Sequence, residues 1–417
     1  MSTLKSSAEN LTLNADGSGN DIIFQSNGSN VATLDQAGLL TATTFAGSGA
    51  SLTAIPAANV TGNLPSANYI PRATPLIING DMKVYQRGSV DLTDNASLYT
   101  LDRWRGFLRG GVLATATQDT SVPTTGGFAN SLKIDVTTGD ALTGASNDLA
   151  IISYTFEGQD LQYWKKGTAD AETITIAFWI KSTITGTYIL ELHDGDNTRA
   201  CSIAYTISVA DTWEHKVVNF PADTTGALND DNTLALYLHW YLGAGTNYTG
   251  GTLATTWASI DGDSTNRAEG TVNAVNSASN NIYITGVQVE VGTYTSATLP
   301  PFQHENYGDN LVRCKRYFQI YKASGSEWIY NQGNAAHTKF WQFRFEEMRV
   351  KPSVSYETSF IGSSGTTLGG TVSSLGADVG VTRCNARMTM SETGGGSNEL
   401  HHTDNFENRI VSIDAEL

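Results

Sequence analysis

Cysteine, positive charge and long apolar runs are all scarce in this chain of 417 residues. Its three cysteines, Cys201, Cys314 and Cys384, are odd in number, far apart and without CxxC spacing. That argues against a disulfide framework or a thiolate zinc site, and they read as small buried hydrophobes. Lysine and arginine total 25 against 41 aspartate and glutamate, a formal net charge of −16. Such a surface repels phosphate backbones and anionic lipid, so nucleic acid and membrane insertion drop out while neutral polymers remain. No stretch is long and uncharged enough for a membrane span, and the opening MSTLKSSAEN offers no apolar signal-peptide core. The expectation is a product made in the cytoplasm. Catalytic signatures are missing too: there is no GxSxG elbow, no HExxH and no P-loop, so the expected answer to whether this is an enzyme is no.

What is present is β periodicity. With 40% hydrophobic and 16% charged residues, the chain has enough apolar material for packed cores in two or three domains. Along TITIAFWIKS, Ile174, Ile176, Phe178 and Ile180 fall on one face of an extended chain. Thr173, Thr175, Ala177 and Lys181 fall on the other, with Trp179 a large exception. Tyr188, Leu190 and Leu192 repeat the pattern. After the turn at Asp194 to Asn197, Ile203, Tyr205, Ile207 and Val209 repeat it again. Strands with one apolar face must cover it with a second sheet, so the middle of the chain reads as a β-sandwich.

The flanks differ. Residues 1–72 contain Phe24, Phe45 and Tyr69 as their aromatics and no tryptophan, too little bulk to close a core within one chain. Such a segment is either a flexible tail or an intertwined oligomeric stalk that buries its surface against other copies, and the persistent alternation favours the stalk. Pro56, Pro65, Pro71 and Pro75 then mark a stiff linker and a boundary. Further on, the apolar phase slips at Gly286, between Ile284 and Val287, which predicts a β-bulge. GDNLVRCKRYFQ is the best helix candidate, with Asp309 as its cap and Leu311, Cys314 and Phe318 on one face. Beyond it lies a smaller β unit with alternating Trp341, Phe343 and Phe345, Gly-rich loops at 362–370 and 394–396, and a closing strand from Ile410 to Leu417. The expected class is mostly β: stalk over 1–72, central β-sandwich over 73–306, smaller C-terminal β domain over 307–417.

Several stretches carry a resemblance. FAGSGASLTAIPAANVTGNLPSA resembles the repeat-bearing shaft segments of bacteriophage tail fibres. LIINGDMKVYQRGS and YTLDRWRGF resemble the opening of a jelly-roll module of phage tail fibre proteins, with its INGDF-like turn, QRG and DRW. The likeness continues through IAFWIKS, TWEHKVVNFPADTTG, LALYLHWYLGAGTNYTGG and NIYITGVQVEVGTYTSATLPPFQHENYGDNLVRCKRYFQ. RCKRYFQ, MRVKPSV and the terminal DAEL are similar to the tip region of the same proteins. The resemblance implies a carbohydrate-binding jelly roll in a receptor-binding tail fibre: a homotrimer on the virion, joined to other tail proteins through its N-terminal segment and adsorbing to a host surface glycan. A polysaccharide depolymerase is the enzyme alternative, disfavoured because no long repetitive β-helix is visible. A binding module of a secreted cellular protein is the third reading, disfavoured by the opening of the chain.

Candidate site residues follow from local chemistry. Asp194 with Asp196, Asp230 with Asp231, and Asp261 with Asp263 are carboxylate pairs in turn contexts. They suit simple turn hydrogen bonding, structural calcium or, least of all, glycoside hydrolysis. No cofactor is expected, with calcium at Asp194, Asp196, Asp261 and Asp263 the candidate exception. His401, His402 and Asp404 suit a metal or a solvated loop, and adjacent strand positions point apart, which favours the loop. Trp240 continues the Leu234, Leu236, Leu238 phase into the core. Tyr241, Tyr248 and Trp257 flank GAGTNYTGG and are candidate sugar-stacking platforms, with core packing as the alternative.

Overall fold

The computed structural model describes residues 19–42 apart from 36 and 38, and residues 74–323 apart from 144–146 and 262–263. Beyond these it describes residues 328–331, 338–356, 360–362, 368–370, 383–389, 401–402 and 409–417. Contacts divide the chain into two units, Met1–Pro71 and Arg72–Leu417. In the first, β1 (Ile22–Ser26), β2 (Ser29–Leu34) and β3 (Leu40–Ala42) form an antiparallel meander. Asn27 and Gly28 both take positive φ at the β1–β2 turn, as a tight hairpin requires. Ile23, Phe24, Val31, Leu39 and Leu40 stay exposed on this small sheet. The shaft-like stretch at 45–67, and with it most of the expected stalk, lies outside the described residues.

The second unit is built on a sandwich. In chain order its strands are β4 (Val90–Leu92), β5 (Ala96–Tyr99), β6 (Trp104–Arg109), β7 (Leu113–Asp119), β8 (Ser131–Thr138), β9 (Leu149–Glu157), β10 (Ile174–Ser182), β11 (Gly186–Asp194), β12 (Arg199–Ile207), β13 (Glu214–Phe220), β14 (Leu234–Ala244), β15 (Ala258–Ser259) and β16 (Asn281–Val291). A one-turn helix, α1 (Thr246–Thr249), follows β14. One sheet runs β13-β10-β16-β8-β7-β4 and the other β15-β12-β11-β14-β9-β6-β5, and every ladder within them is antiparallel. The chain crosses repeatedly between the two sheets, as in a jelly roll. The periodicity of the sequence is the reason: Ile174, Ile176, Phe178 and Ile180 of β10 meet Tyr188, Leu190 and Leu192 of β11 and Trp240 of β14 in one continuous core. Phe178 stands edge-on to Trp240, centroids 5.6 Å apart. Each such side chain contributes roughly 1.5–3 kcal/mol on burial. The expected mostly β sandwich is what the chain forms.

The bulge expected at Gly286 is present. Register between β10 and β16 shifts between Ala177 and Trp179, opposite Gly286, which has φ +62. A Cβ there would lie 2.5 Å from the Phe128 ring. Gly286→Ala is therefore expected to cost at least about 1–3 kcal/mol from the left-handed backbone alone, read as a lowered urea midpoint. An unchanged midpoint would mean that Phe128 moves aside freely and that the bulge tolerates a side chain.

The C-terminal part comprises α2 (Tyr307–Lys315), β17 (Phe318–Ala323), β18 (Trp328–Asn331), β19 (Thr338–Arg344), β20 (Ser353–Tyr356), β21 (Phe360–Gly362), β22 (Leu368–Gly370), β23 (Arg383–Thr389), β24 (His401–His402) and β25 (Arg409–Asp414). They form sheets ordered β17-β25-β20, β23-β19-β18-β24 and β21-β22. The helix is shorter than expected. Asn306, not Asp309, caps it by accepting from the Asp309 N–H at 2.9 Å, and Phe318 already belongs to β17. Asn precedes the helix with extended backbone, as a cap needs, whereas Asp309 sits inside the first turn. His401 and His402, expected in a loop, pair as a short strand with β18. The Gly-rich stretch at 394–396 and Asp404 lie outside the described residues.

Contacts do not divide the chain between residues 306 and 307. The physical reason is a hydrogen-bonded knot made by the INGD, QRG and DRW segments. Asn79 exchanges bonds with the backbone of Val84 and donates to Asp102 O. The Trp104 indole donates to Asn79 O at 3.0 Å, and Gln86 N–H donates to Asp102 Oδ2 at 2.8 Å. Asn310 of α2 accepts from Asn79 N–H, and Gln86 donates to Phe318 O of β17. Arg103 pairs with Glu416, and Arg87 reaches Asp414 and Glu416. The closing DAEL is thus keyed into the start of the sandwich.

Candidate functional site

Because alternate residues of a strand face opposite ways, the seven-stranded sheet that buries Leu190, Leu192, Leu238 and Trp240 inward must present Glu191, His193, Tyr237, His239 and Tyr241 outward. Register then sets these outward residues in rows. Glu191 lies opposite His239, His239 opposite Ser153, Ser153 opposite Arg105, and Arg105 opposite Tyr99, one transverse line across β11, β14, β9, β6 and β5. One step along, His193 lies opposite Tyr237 and Tyr237 opposite Thr155. The rings form a ladder. His193 stacks on Tyr237 with centroids 5.0 Å apart at 20°, and Tyr237 on His239 at 5.2 Å and 23°. His193, Tyr237, Arg105 and Tyr99 are half-buried, while His239 and Ser153 are 5% and 1% exposed.

Electrostatics divides this face in two. Glu191 is fully buried and held from every side: Arg267 Nε donates to Oε2 at 2.8 Å and Nη2 to Oε1 at 2.5 Å, Tyr241 OH donates to Oε1, and Ser202 donates to Oε2. Next to this closed pair the polar atoms are closed to solvent but unpaired. Among the described residues, His239 Nδ1, Ser153 Oγ, Thr155 Oγ1 and Arg105 Nε are buried without a hydrogen-bond partner. Leaving a buried polar group unpaired costs about 1–3 kcal/mol.

Both imidazoles are neutral at pH 7. Burial, then the Arg267 charge, pushes His193 down to about 4, and burial, with His193, Arg267 and Arg105 adding to it, holds His239 well below its ordinary value. Unfolding raises both toward the free value near 6.5, so the unfolded chain binds more protons between about 6.5 and 4. Stability is expected to be complete above pH 6.5 and to fall as pH drops through that window. Melting temperatures at pH 7.5 and 4.5 check this, and His193→Asn should flatten the difference.

Glu191, His193 and His239 offer ligand atoms within 4.8 Å of one another, a donor set suited to a transition-metal ion. The arrangement does not fit one, because Arg267 already spans the carboxylate and its Nη2 lies 3.4 Å from His193 Nδ1. A permanent cation stands where a second would have to go.

The residues singled out from the sequence fall in three places. Tyr241 is on the outward face but only 1% exposed, packed with Leu149, Ile151, Ile189 and Ala268, so its ring offers no stacking surface. Burial under the loop after α1 is the cause, and it corrects the expected platform. Tyr248 is half-buried in α1 against the same cluster, with Arg267 5.9 Å from its ring. Trp257 belongs elsewhere: it packs on the main core, donates to Pro221 O at 2.9 Å and covers the Lys166 ammonium at 4.7 Å. The three do not form one platform.

The calcium candidates fare similarly. Asp194 is fully buried, and its carboxylate takes Lys166 and both the backbone and side-chain N–H groups of Asn197. Lys166 also lies 3.0 Å from Asp223 and 2.7 Å from Gly226 O. An ammonium therefore occupies the centre of these acceptors. Asp196 accepts instead from Asn229 N–H, Asp231 bonds Thr233 within its turn, Asp261 is exposed, and Asp263 lies outside the described residues. Calcium or chelator should leave the melting temperature of the intact protein unchanged. Lys166→Ala should lower stability by about 3–5 kcal/mol, since it strands the buried Asp194 carboxylate while Asp223 keeps Arg199, and make it respond to calcium. Calcium stabilisation of the unaltered protein would overturn this account.

Sequence reasoning missed Ser153, His193, Tyr237, His239, Arg105 and the Glu191–Arg267 pair. A signal existed: in LALYLHWYL the off-phase positions are Tyr237, His239 and Tyr241, bulky rings where a plain solvent face carries Thr, Ser or Lys.

No family model matches this chain, and no curated protein matches it. Among solved structures it is similar to the enzymatically active domain of tailspike protein 4 of bacteriophage CBA120, at 13% identity over 52% of this chain and 21% of that one, TM-score 0.27. It is also similar to a putative sugar binding protein from Bacteroides thetaiotaomicron, at 11% identity over 52% of this chain and 100% of that one, TM-score 0.28. A third is the family 11 carbohydrate-binding module of a Clostridium thermocellum cellulosomal cellulase, at 11% identity over 50% and 98%, TM-score 0.24. The chain spans about a fifth of the tailspike domain's length.

Proposed function

We propose that this chain binds a glycan, without chemistry, on the outward face of the seven-stranded sheet. One observation carries the reading: the half-buried rings of His193 and Tyr237 stack on each other on this face, with the half-buried Arg105 guanidinium 5.8 Å from the Tyr237 ring. A sugar matches that pattern, with C–H faces to stack on rings and hydroxyls to accept from a guanidinium. Glycoside hydrolysis asks for two carboxylates flanking the bond, and on these rows Glu191 is neutralised by Arg267. The biological setting that suits the sequence resemblance is a homotrimeric phage tail fibre on the virion, anchored to other tail proteins by its N-terminal segment and adsorbing to a host surface glycan. The exposed Ile23, Phe24, Val31, Leu39 and Leu40 of the first unit support self-association, since such side chains gain by meeting copies of themselves.

The test is affinity electrophoresis of the whole protein in gels containing bacterial envelope polysaccharides, with reducing ends assayed in parallel. Retardation without new reducing ends is expected. Release of reducing ends would move the protein to the depolymerase class, and sedimentation as a monomer at micromolar concentration would remove the trimer.

A further inference from the structure

We propose that Lys166 and Asp194 join covalently after folding, through an amide between the lysine Nζ and the aspartate Cγ, with Asp223 moving the protons. The inference is independent of the glycan reading. The three side chains meet out of reach of water: Asp194 has 0% of its side chain exposed, and Lys166 and Asp223 have 4% each. Lys166 Nζ is in direct contact with Asp194 Oδ2 and lies 3.0 Å from Asp223 Oδ2, while the Trp257 ring covers it at 4.7 Å. The backbone fixes this meeting. Gly167 N–H donates to Asp223 O at 2.8 Å, which holds the turn bearing Lys166 against the turn bearing Asp223. Asp194 ends β11, and Arg199, opposite it in the β11–β12 ladder, donates twice to Asp223, at 3.0 and 3.1 Å.

The contacts suit the two oxygens of Asp194 to different parts in the reaction. Oδ1 accepts from the Asn197 backbone N–H at 2.9 Å and from Asn197 Nδ2 at 3.2 Å, donors placed to hold the negative charge that develops when Cγ is attacked. Oδ2 faces the lysine, with Asn197 Nδ2 also 2.9 Å away, and is the oxygen that leaves. Burial opposes the Asp223 charge, but bonds from Arg199 and Lys166 outweigh it, so Asp223 titrates below its ordinary value and is an ionised base at pH 7. It takes a proton from the ammonium, and the freed lone pair on Nζ attacks Asp194 Cγ. The C–N bond forms and the C–Oδ2 bond breaks. The two protons lost by nitrogen pass by way of Asp223 to Oδ2, which departs as water. The balance needs no co-reactant, and Asp223 ends ionised as it began. The product fits the same cradle: its carbonyl oxygen keeps the Asn197 N–H, and its amide N–H keeps Gly226 O, 2.7 Å from Nζ. Reactants already held in contact have met the entropic cost of encounter, and a neutral amide removes the desolvation penalty of a buried ion pair. The bond closes a loop between residues 28 apart and ties the turn before β10 to the end of β11, restricting the unfolded chain as a cross-link does.

Intact mass and tryptic peptide mapping of the whole protein test this. The unaltered protein is expected to weigh one water less than its sequence and to yield a branched peptide in which Lys166 carries the segment containing Asp194. Lys166 should also stay unlabelled by an amine reagent after denaturation. Asp223→Asn should slow formation of the bond by about 10²- to 10⁴-fold, leaving the full mass in freshly purified protein, and Asp223→Glu should recover part of the branched peptide. Melting curves confirm that both variants fold. A branched peptide formed as fully in Asp223→Asn as in the unaltered protein overturns the role given to Asp223. A folded unaltered protein with the full mass and a labelled Lys166 overturns the bond itself, and that result needs no variant. Loss of one water without the branched peptide, as a succinimide at Asp194–Gly195 would give, overturns it equally.

Discussion

Glu416→Ala is expected to lower the stability of the second unit by about 3–5 kcal/mol, the cost of leaving a buried charge without its partner. Glu416 and Arg103 have side-chain exposures of 2% and 1% and face each other directly. Burial opposes the Arg103 charge, but Glu416 outweighs it, so the guanidinium's pKa stands well above its ordinary value. Arg103 also donates to Thr155 O at 2.7 Å and lies 3.5 Å from the Tyr317 ring centroid. It cannot swing out to water without giving up both. Arg87, 3.3 Å from Glu416 and 3.6 Å from the Phe318 ring, loses its deeper carboxylate in the same step. Urea unfolding checks the magnitude. Arg103→Leu should cost a similar amount, and the double substitution Arg103→Leu/Glu416→Leu should cost clearly less than the two single changes summed. A loss below about 1 kcal/mol for Glu416→Ala would mean that the DAEL segment merely lies on the sandwich.

This knot shows which parts of the protein were legible in the sequence. The sandwich was, because period-two alternation is local: Ile174 to Ile180 show their faces within seven residues, and the slip at Gly286 needs no partner to be seen. The knot was not. Asn79, Gln86, Asp102 and Trp104 belong to the stretches that resemble phage fibre modules, which invites a binding role, yet each spends its polar atoms on the backbone or on another member of the set. Asn310 and Phe318, which pair with Asn79 and Gln86, and Glu416, which pairs with Arg103, lie more than two hundred residues away. The same distance problem misplaced the calcium candidates. Asp194 and Asp196 read as a turn with two free carboxylates, but the ammonium that fills one comes from Lys166, in a turn before β10. The candidate site is a matter of register: Glu191, His239, Ser153 and Arg105 form a line only once four strands are aligned, and alternation gives a side chain's face without giving its neighbours.

Tyr237→Ala should weaken glycan binding about three- to tenfold per site while leaving the melting temperature nearly unchanged, because the ring is half-buried on the outer face and outside the main core. An aromatic platform contributes roughly 0.5–1.5 kcal/mol beyond area, which converts to that range. Trp257→Ala is the contrasting variant. It removes a ring that packs on the core and covers Lys166, so it should lower the melting temperature and alter binding only as far as folding is lost. If three copies act on one rigid particle, each site's defect multiplies. A tenfold loss per site then becomes up to about a thousandfold loss of cell binding, inside the range of about 10² to 10⁴ that linkage of sites supplies. Calorimetry on soluble oligosaccharide reads the single-site term, and adsorption of the assembled protein to cells reads the compounded one. A Tyr237→Ala protein that melts normally and binds both as before would take the outward face of the seven-stranded sheet out of recognition altogether.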